Sequence, residues 1–198
     1  MDIKYLVIDL VLSAVLIVGG YQFYFWCQRN ALFEPRELGT FLDERIPFMP
    51  AWVWIYSLPY YPAILYVNLG LKSSEQFIQT AISYLMLLGL QMAFFLMVPV
   101  RTPHHWREAN GGRGLSERFL AFVQRFDAPT NSFPSMHTSV AMLTSLHLYH
   151  HIGGAVFAFP ALIGLSCLFT KQHYLIDIPA GAALGWLDYS LYLKLIAA

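Results

Sequence analysis

Mostly apolar runs of about 20 residues recur along this chain, and a run of that length is what a helix needs to cross a hydrocarbon core. Six such runs extend over about Tyr5–Trp26, Ala51–Leu71, Phe77–Val98, Pro134–His151, Ala155–Phe169 and His173–Leu195. Lipid offers no partner to an open backbone N–H or C=O, so each run is expected as a helix whose hydrogen bonds close within it. The expected fold is all-α: an integral membrane bundle of six transmembrane helices, one membrane-embedded domain over residues 1–198. Pro59 and Pro62 inside the second run are tolerable where neighbouring helices satisfy the freed carbonyls. The first run is long and lacks a small-x-small cleavage site, so it reads as a span and not as a cleaved signal.

Composition agrees with this reading. Only 12% of the 198 residues are charged and 57% are hydrophobic, against about 25% charged in soluble domains. Mean hydropathy is +0.50, and an aromatic share of 16% suits side chains anchored at the interfaces. A net charge of zero argues against a nucleic-acid partner. Cys27 and Cys167 lie in or beside apolar runs without framework spacing, so no disulfide is expected.

Between the runs lie a polar loop over 29–50, a short turn over 72–76 and a longer polar stretch over 99–132. In the last, Leu115, Phe119, Leu120, Phe122, Val123 and Phe126 repeat at helical spacing, with Ser116 as the expected N-cap. This predicts a short amphipathic helix lying in the interface, or packed over the loop. Six spans put the first-to-second, third-to-fourth and fifth-to-sixth loops on one side, so Arg101, His137 and His173 can meet there.

Two stretches carry the chemistry. Phe133-Pro134-Ser135-Met136-His137-Thr138-Ser139 and Thr170-Lys171-Gln172-His173-Tyr174-Leu175-Ile176-Asp177 each put a histidine where a loop gives way to an apolar helix. At a spacing of four, His173 and Asp177 are expected to share one helical face. A neutral imidazole held by a carboxylate is a competent nucleophile or base, and a second histidine opposite it can serve as the acid. Hydroxyls, a lysine and the open N–H groups of two helix starts suit an anion such as phosphate. The combination points to phosphoryl transfer.

These residues resemble the second and third signatures of the type 2 phosphatidic acid phosphatase superfamily, roughly P-S-G-H and S-R-x-x-x-x-x-H-x-x-x-D. The second stands as Pro134-Ser135-Met136-His137, with methionine for glycine. In the third, Ser166, His173 and Asp177 hold the spacing, while Cys167 stands where the arginine should be and Lys171 is the expected stand-in cation. The first signature, K-x-x-x-x-x-x-R-P, is poorly kept. Arg101 in Pro99-Val100-Arg101-Thr102-Pro103 is its nearest match, and Arg107 competes for the role. The form S-M-H with T-K-Q-H-Y is similar to the branch containing inositol phosphorylceramide synthases.

The resemblance implies a membrane enzyme that cleaves or transfers a phosphate ester of a lipid through phosphohistidine, without a metal or other cofactor. His173 would attack phosphorus, Asp177 would orient it, and His137 would protonate the leaving oxygen. Ser135, Met136, Lys171 and Arg101 are the expected phosphate-binding positions. Asp43, Arg45, Arg107 and His104 are possible substrate contacts, and the loop around Asp43 and Arg45 could equally be a plain helix entry. The expected partners are a lipid phosphate or phospholipid substrate and the membrane lipids. A little-hydrolysing headgroup transferase is the alternative, and a non-catalytic transporter or scaffold is the competing class. His147, His150 and His151 have metal-like spacing but no carboxylate or cysteine nearby, so they read as interfacial. Arg29, Arg36, Arg45, Arg101, Arg107, Arg113, Arg118, Arg125 and Lys171 on the active face, against Lys4, Lys72 and Lys194 opposite, favour a cytoplasmic face. The resemblance implies an extracytoplasmic or luminal one.

Overall fold

The computed structural model describes residues 3–108 and 110–196, and among these the chain is all-helical, with no strand. The α-helices are α1 (Ile3–Arg29), α2 (Phe41–Arg45), α3 (Val53–Ser57), α4 (Tyr60–Gly70), α5 (Ser74–Met97), α6 (His104–Glu108), α7 (Leu115–Phe126), α8 (Met136–Ile152), α9 (Ala158–Phe169) and α10 (Asp177–Leu195). Three stretches among the described residues are long and apolar enough to cross a membrane: Ile3–Arg29, Ser74–Met97 and Met136–Phe169. On α1 the large apolar side chains of Val7, Val11, Val15 and Val18 are exposed, and only Asp9 and Cys27 are buried. An apolar surface of that extent suits lipid.

The second apolar run is interrupted. It begins as a 3-10 turn, Pro50–Trp52, and breaks between α3 and α4 at Leu58-Pro59, where proline has no N–H to continue the ladder. The Pro59 carbonyl accepts from Ala63 N–H and so starts α4. Between α8 and α9, Gly153 takes a φ of 74°, which glycine adopts at little cost, and a 3-10 turn over Gly153–Phe157 follows.

Helix α8 is central, packed by α4, α5, α9 and α10. Gly181 and Gly185 are one turn apart on α10, and a Cβ at either would run into the backbone carbonyl of Ser135 or Ser139 on α8. Small residues four apart let helices touch backbone to backbone where lipid provides no hydrophobic push. Gly185→Leu is expected to cost about 3 kcal/mol by overpacking, a Tm drop of roughly 6–12 °C in detergent for a chain of this size. Gly89→Leu, where a Cβ meets open space, should leave Tm unchanged. Equal shifts in the two variants would contradict this packing.

At one end of the bundle three loops interlace. Arg36 N–H donates to Pro99 C=O and Arg101 N–H to Arg36 C=O, which joins the first-to-second loop to the segment after α5. Ser132 N–H donates to Val100 C=O, Met49 N–H to Phe169 C=O and Ser135 N–H to Asp177 C=O. These bonds satisfy loop backbone that would otherwise be buried unpaired. They also bring the ends of α5, α8, α9 and α10 to one place.

Local details differ from the sequence expectations. Gly114, not Ser116, caps α7: Glu117 Oε2 accepts from Gly114 N–H at 3.1 Å and Arg113 N–H at 2.7 Å. Ser116 Oγ instead accepts from Trp54 Nε1–H at 2.9 Å, while Phe119 stacks on the Trp54 ring at 4.7 Å. Leu120 is buried beneath α7, whereas Leu115, Phe122 and Phe126 are exposed. Pro134 precedes the first turn of α8, because Ser135 is the N-cap and accepts from Thr138 N–H.

Candidate active site

His173 does not lie on a helical face with Asp177. Helix α10 begins at Asp177, and His173 sits in the turn before it. The two still meet because the Asp177 carboxylate reaches back over the helix start, as an N3 carboxylate does in a capping box. Its Oδ2 accepts from Tyr174 N–H at 2.9 Å and lies 3.2 Å from His173 Nδ1.

The turn itself follows from the end of α9. Gln172 N–H donates to Cys167 C=O and Lys171 N–H to Leu168 C=O, a Schellman pair. That motif needs a left-handed residue, and Lys171 supplies it at φ 57°, where glycine is usual. The reversal carries Gln172 and His173 back toward α8.

His173 Nδ1 is 2.8 Å from the Ser132 carbonyl oxygen as well as 3.2 Å from Asp177. A carbonyl can only accept, so Nδ1 carries the proton, and in the neutral ring Nε2 holds the lone pair. His137, in the first turn of α8, lies across from it at 6.1 Å between ring centroids. Its ring packs on Tyr56 at 4.3 Å and Tyr60 at 5.0 Å.

Both histidines line a cavity of about 280 Å³. Arg107, Thr102, Thr130, Asn131, Ser132 and Gln172 give its polar wall, and Tyr21, Tyr24, Tyr56, Tyr60, Tyr61 and Met136 its aromatic and apolar one. Four buried polar atoms of described lining residues have no hydrogen-bond partner: Arg107 Nε, Thr130 Oγ1, Asn131 Oδ1 and Ser132 Oγ. Buried polar groups are rarely left so, and their gathering here suits a polar ligand. Arg107 Nη1 donates to the carbonyls of Asp127 at 2.6 Å and Gln124 at 3.2 Å. Burial lowers the Arg107 pKa, with Asp127 opposing, and a guanidinium stays charged even so. Burial raises the pKa of Asp127, although Tyr24 Oη–H at 2.8 Å and Gln28 Nε2–H at 2.7 Å hold its carboxylate.

The remaining candidate residues fall in two groups. Behind the cavity, Ser135 is fully buried, with Oγ used by Thr138 N–H and Oγ1–H. Lys171 Nζ donates to Asp43 C=O at 2.5 Å and lies 4.7 Å from the Trp106 ring centroid, outside the cavity lining. Burial lowers its pKa, with Glu44 and Asp43 opposing. Asp43 is itself buried: Oδ2 accepts from Thr40 N–H and Oγ1–H, and Oδ1 accepts from Leu175 N–H at 2.6 Å. Burial works against the Asp43 charge, but those hydrogen bonds hold its pKa below the usual carboxylate range. Its carboxylate therefore ties the first-to-second loop to the turn that carries His173.

Farther out, Arg101 Nε faces Glu37 at 3.3 Å with its side chain nearly half exposed, Arg45 lies over Phe41, and His104 is exposed on α6. Ser166 Oγ–H donates to Ile163 C=O within α9. His147 turns inward to Ser83 Oγ at 2.7 Å, while His150 and His151 are exposed. Sequence reading missed Tyr56, Tyr60, Asn131 and the Ser132 carbonyl. No motif marks a backbone acceptor, and the two tyrosines sit in an apolar run that reads as plain helix.

Residues 27–191 match the family model described as the PAP2 superfamily. The chain belongs to the PAP2 superfamily. No curated protein and no solved structure matches it. PAP2 superfamily proteins are generally phosphatases, with phosphotransferases among them, and the matched residues take in both histidines and all three interlaced loops. In this PAP2 chain the cysteine at 167 is fully buried beside the two histidines. The cation that lines the cavity comes from α6, at Arg107.

Proposed function

We propose that the protein is an integral membrane lipid phosphatase or phosphotransferase that works through phosphohistidine at His173. The observation that carries this reading is the pair of acceptors on His173 Nδ1, which leaves Nε2 free beside a cavity shared with His137. Nε2 attacks phosphorus, and the bond to the lipid oxygen breaks as His137 gives that oxygen a proton. His137 then takes a proton from water or a lipid alcohol, whose oxygen displaces Nε2. The Arg107 guanidinium and the open N–H groups of the first turn of α8 stabilise the equatorial oxygens. The scheme calls on no metal.

A second, apolar cavity of about 120 Å³ runs among α1, α4, α5 and α8, and shares Tyr21, Tyr60, Tyr61 and Met136 with the first. Its lining spans Phe77 to Gln91 on α5, about 21 Å at 1.5 Å per residue. A slot of that length beside the polar cavity supports a substrate with an apolar chain.

In this reading the chain is one membrane domain of six spans, with α3 and α4 together forming the second and α10 the sixth. The active face is extracytoplasmic or luminal. Several cations that would argue otherwise have local partners: Arg101 on Glu37, Arg107 on two carbonyls and Lys171 on Asp43. Tyr56, Tyr60 and Met136 line the cavity beside His137, a wall that favours an oriented lipid alcohol over water as acceptor, as the resemblance to the inositol phosphorylceramide synthase branch implies.

Purified protein in chelator-treated detergent should release phosphate from a long-chain lipid phosphate at least about a hundredfold faster than from glycerol phosphate. Added ceramide, diacylglycerol or inositol lipid should divert labelled phosphate or headgroup into a lipid product. Release at equal rates from both esters would remove the lipid reading. No product from any donor would favour a transporter or scaffold.

A further inference from the structure

We propose that His137, Cys167 and His173 form a binding site for a soft divalent cation, zinc foremost. One ligand atom from each lies within 4.8 Å of the other two, the one such grouping of three among the described residues. Two imidazoles and a thiolate, with a fourth position open to the cavity, are a donor set that zinc and cobalt accept in tetrahedral sites. Zinc holds such atoms at about 2.0–2.3 Å, which puts neighbouring ligand atoms about 3.3–3.7 Å apart. Side-chain rotation closes the difference.

The surroundings favour coordination. Ser132 C=O and Asp177 fix His173 from behind, as the carboxylate or carbonyl does for a metal-bound imidazole. Ring contacts with Tyr56 and Tyr60 hold His137, leaving its nitrogens available. Lys171, the nearest cation in sequence, is turned away to Asp43 and Trp106. Asp127 offsets the charge of Arg107. On coordination the metal replaces the Cys167 thiol proton, which passes to solvent, and no electrons move. The metal site does not depend on the catalytic reading. Its consequence does: a coordinated His173 Nε2 cannot attack phosphorus, so zinc inhibits.

Metal-stripped full-length protein in detergent, titrated with Co²⁺, should bind one equivalent with a thiolate-to-cobalt absorption band that Zn²⁺ displaces. Cys167→Ser should lose the band and bind Zn²⁺ at least tenfold more weakly. Cys27→Ala and the double variant His150→Ala/His151→Ala should keep both. No band, or a band that survives Cys167→Ser, overturns the proposal. Should Cys167→Ser fail to fold, Cys27→Ala decides, because Cys167 is then the sole thiol: a band there supports the site and its absence overturns it. In parallel, zinc should inhibit phosphate release by the wild type, and Cys167→Ser should escape. Cobalt bound through Cys167 in a protein that turns over no ester would retract the catalytic reading and leave the metal site standing.

Discussion

His173→Ala should lose at least about a thousandfold in turnover while staying folded, because His173 is the cavity histidine whose Nδ1 is fixed from behind by two acceptors with Nε2 left for attack, and His137 has the acid's part. The residual activity expected is that of positioned water and the cationic wall alone. Asp177→Asn separates nucleophile from support. In a triad where the carboxylate alone fixes the tautomer, the Asp→Asn change costs about ten-thousandfold. Here the Ser132 carbonyl fixes it independently at 2.8 Å, so Asp177→Asn should lose only about ten- to a hundredfold, as outer support of a histidine does. Steady-state rates on one lipid phosphate settle the order. If Asp177→Asn falls as far as His173→Ala, the Ser132 contact does not hold the ring. A His173→Ala variant with more than a few per cent of wild-type rate removes His173 as nucleophile.

Arg107→Ala should lose about a hundredfold to a thousandfold in kcat, the range for one lost oxyanion donor. The guanidinium lines the cavity, and two carbonyls fix its Nη1 end while Nε has no protein partner. Arg107→Lys should recover little, since an ammonium cannot span the two carbonyls and also reach phosphate. Arg101→Ala should stay within about threefold, because an exposed ion pair such as Arg101–Glu37 contributes little. Thermal melts of the same variants keep folding apart from chemistry, as Arg107 also latches α6 to the end of α7. A severe Arg101→Ala beside a mild Arg107→Ala would return the phosphate role to Arg101.

That reversal of emphasis between two arginines shows what the sequence carries. Apolar run length and the two histidine stretches are local patterns, and they led to the helices and to His137 and His173. Arg107 was harder to rank, because its placement depends on carbonyls 17 and 20 residues away. Asp43 looked like a headgroup contact from its charge on the active face. Its carboxylate is engaged by Thr40 and by Leu175 N–H, 132 residues on, a pairing no spacing rule encodes. His173 and Asp177 were paired by helical period, yet they meet because a carboxylate near a helix start reaches back to the preceding turn. Lys171 is the expected stand-in for the arginine that the third signature lacks at Cys167. The left-handed backbone at that position directs it to α2 instead. Gly181 and Gly185 stand out only in the fold, where they press on Ser135 and Ser139.

The most direct test of phosphoryl transfer through His173 is to trap the intermediate. Protein mixed with a ³²P-labelled lipid phosphate and quenched in alkali within one turnover should carry label on the peptide containing His173. The label should resist base and be lost in acid, as a phosphoramidate is, and be absent from His173→Ala. Turnover that proceeds with no label on the chain, or with label on a serine, cysteine or aspartate peptide, would contradict the account.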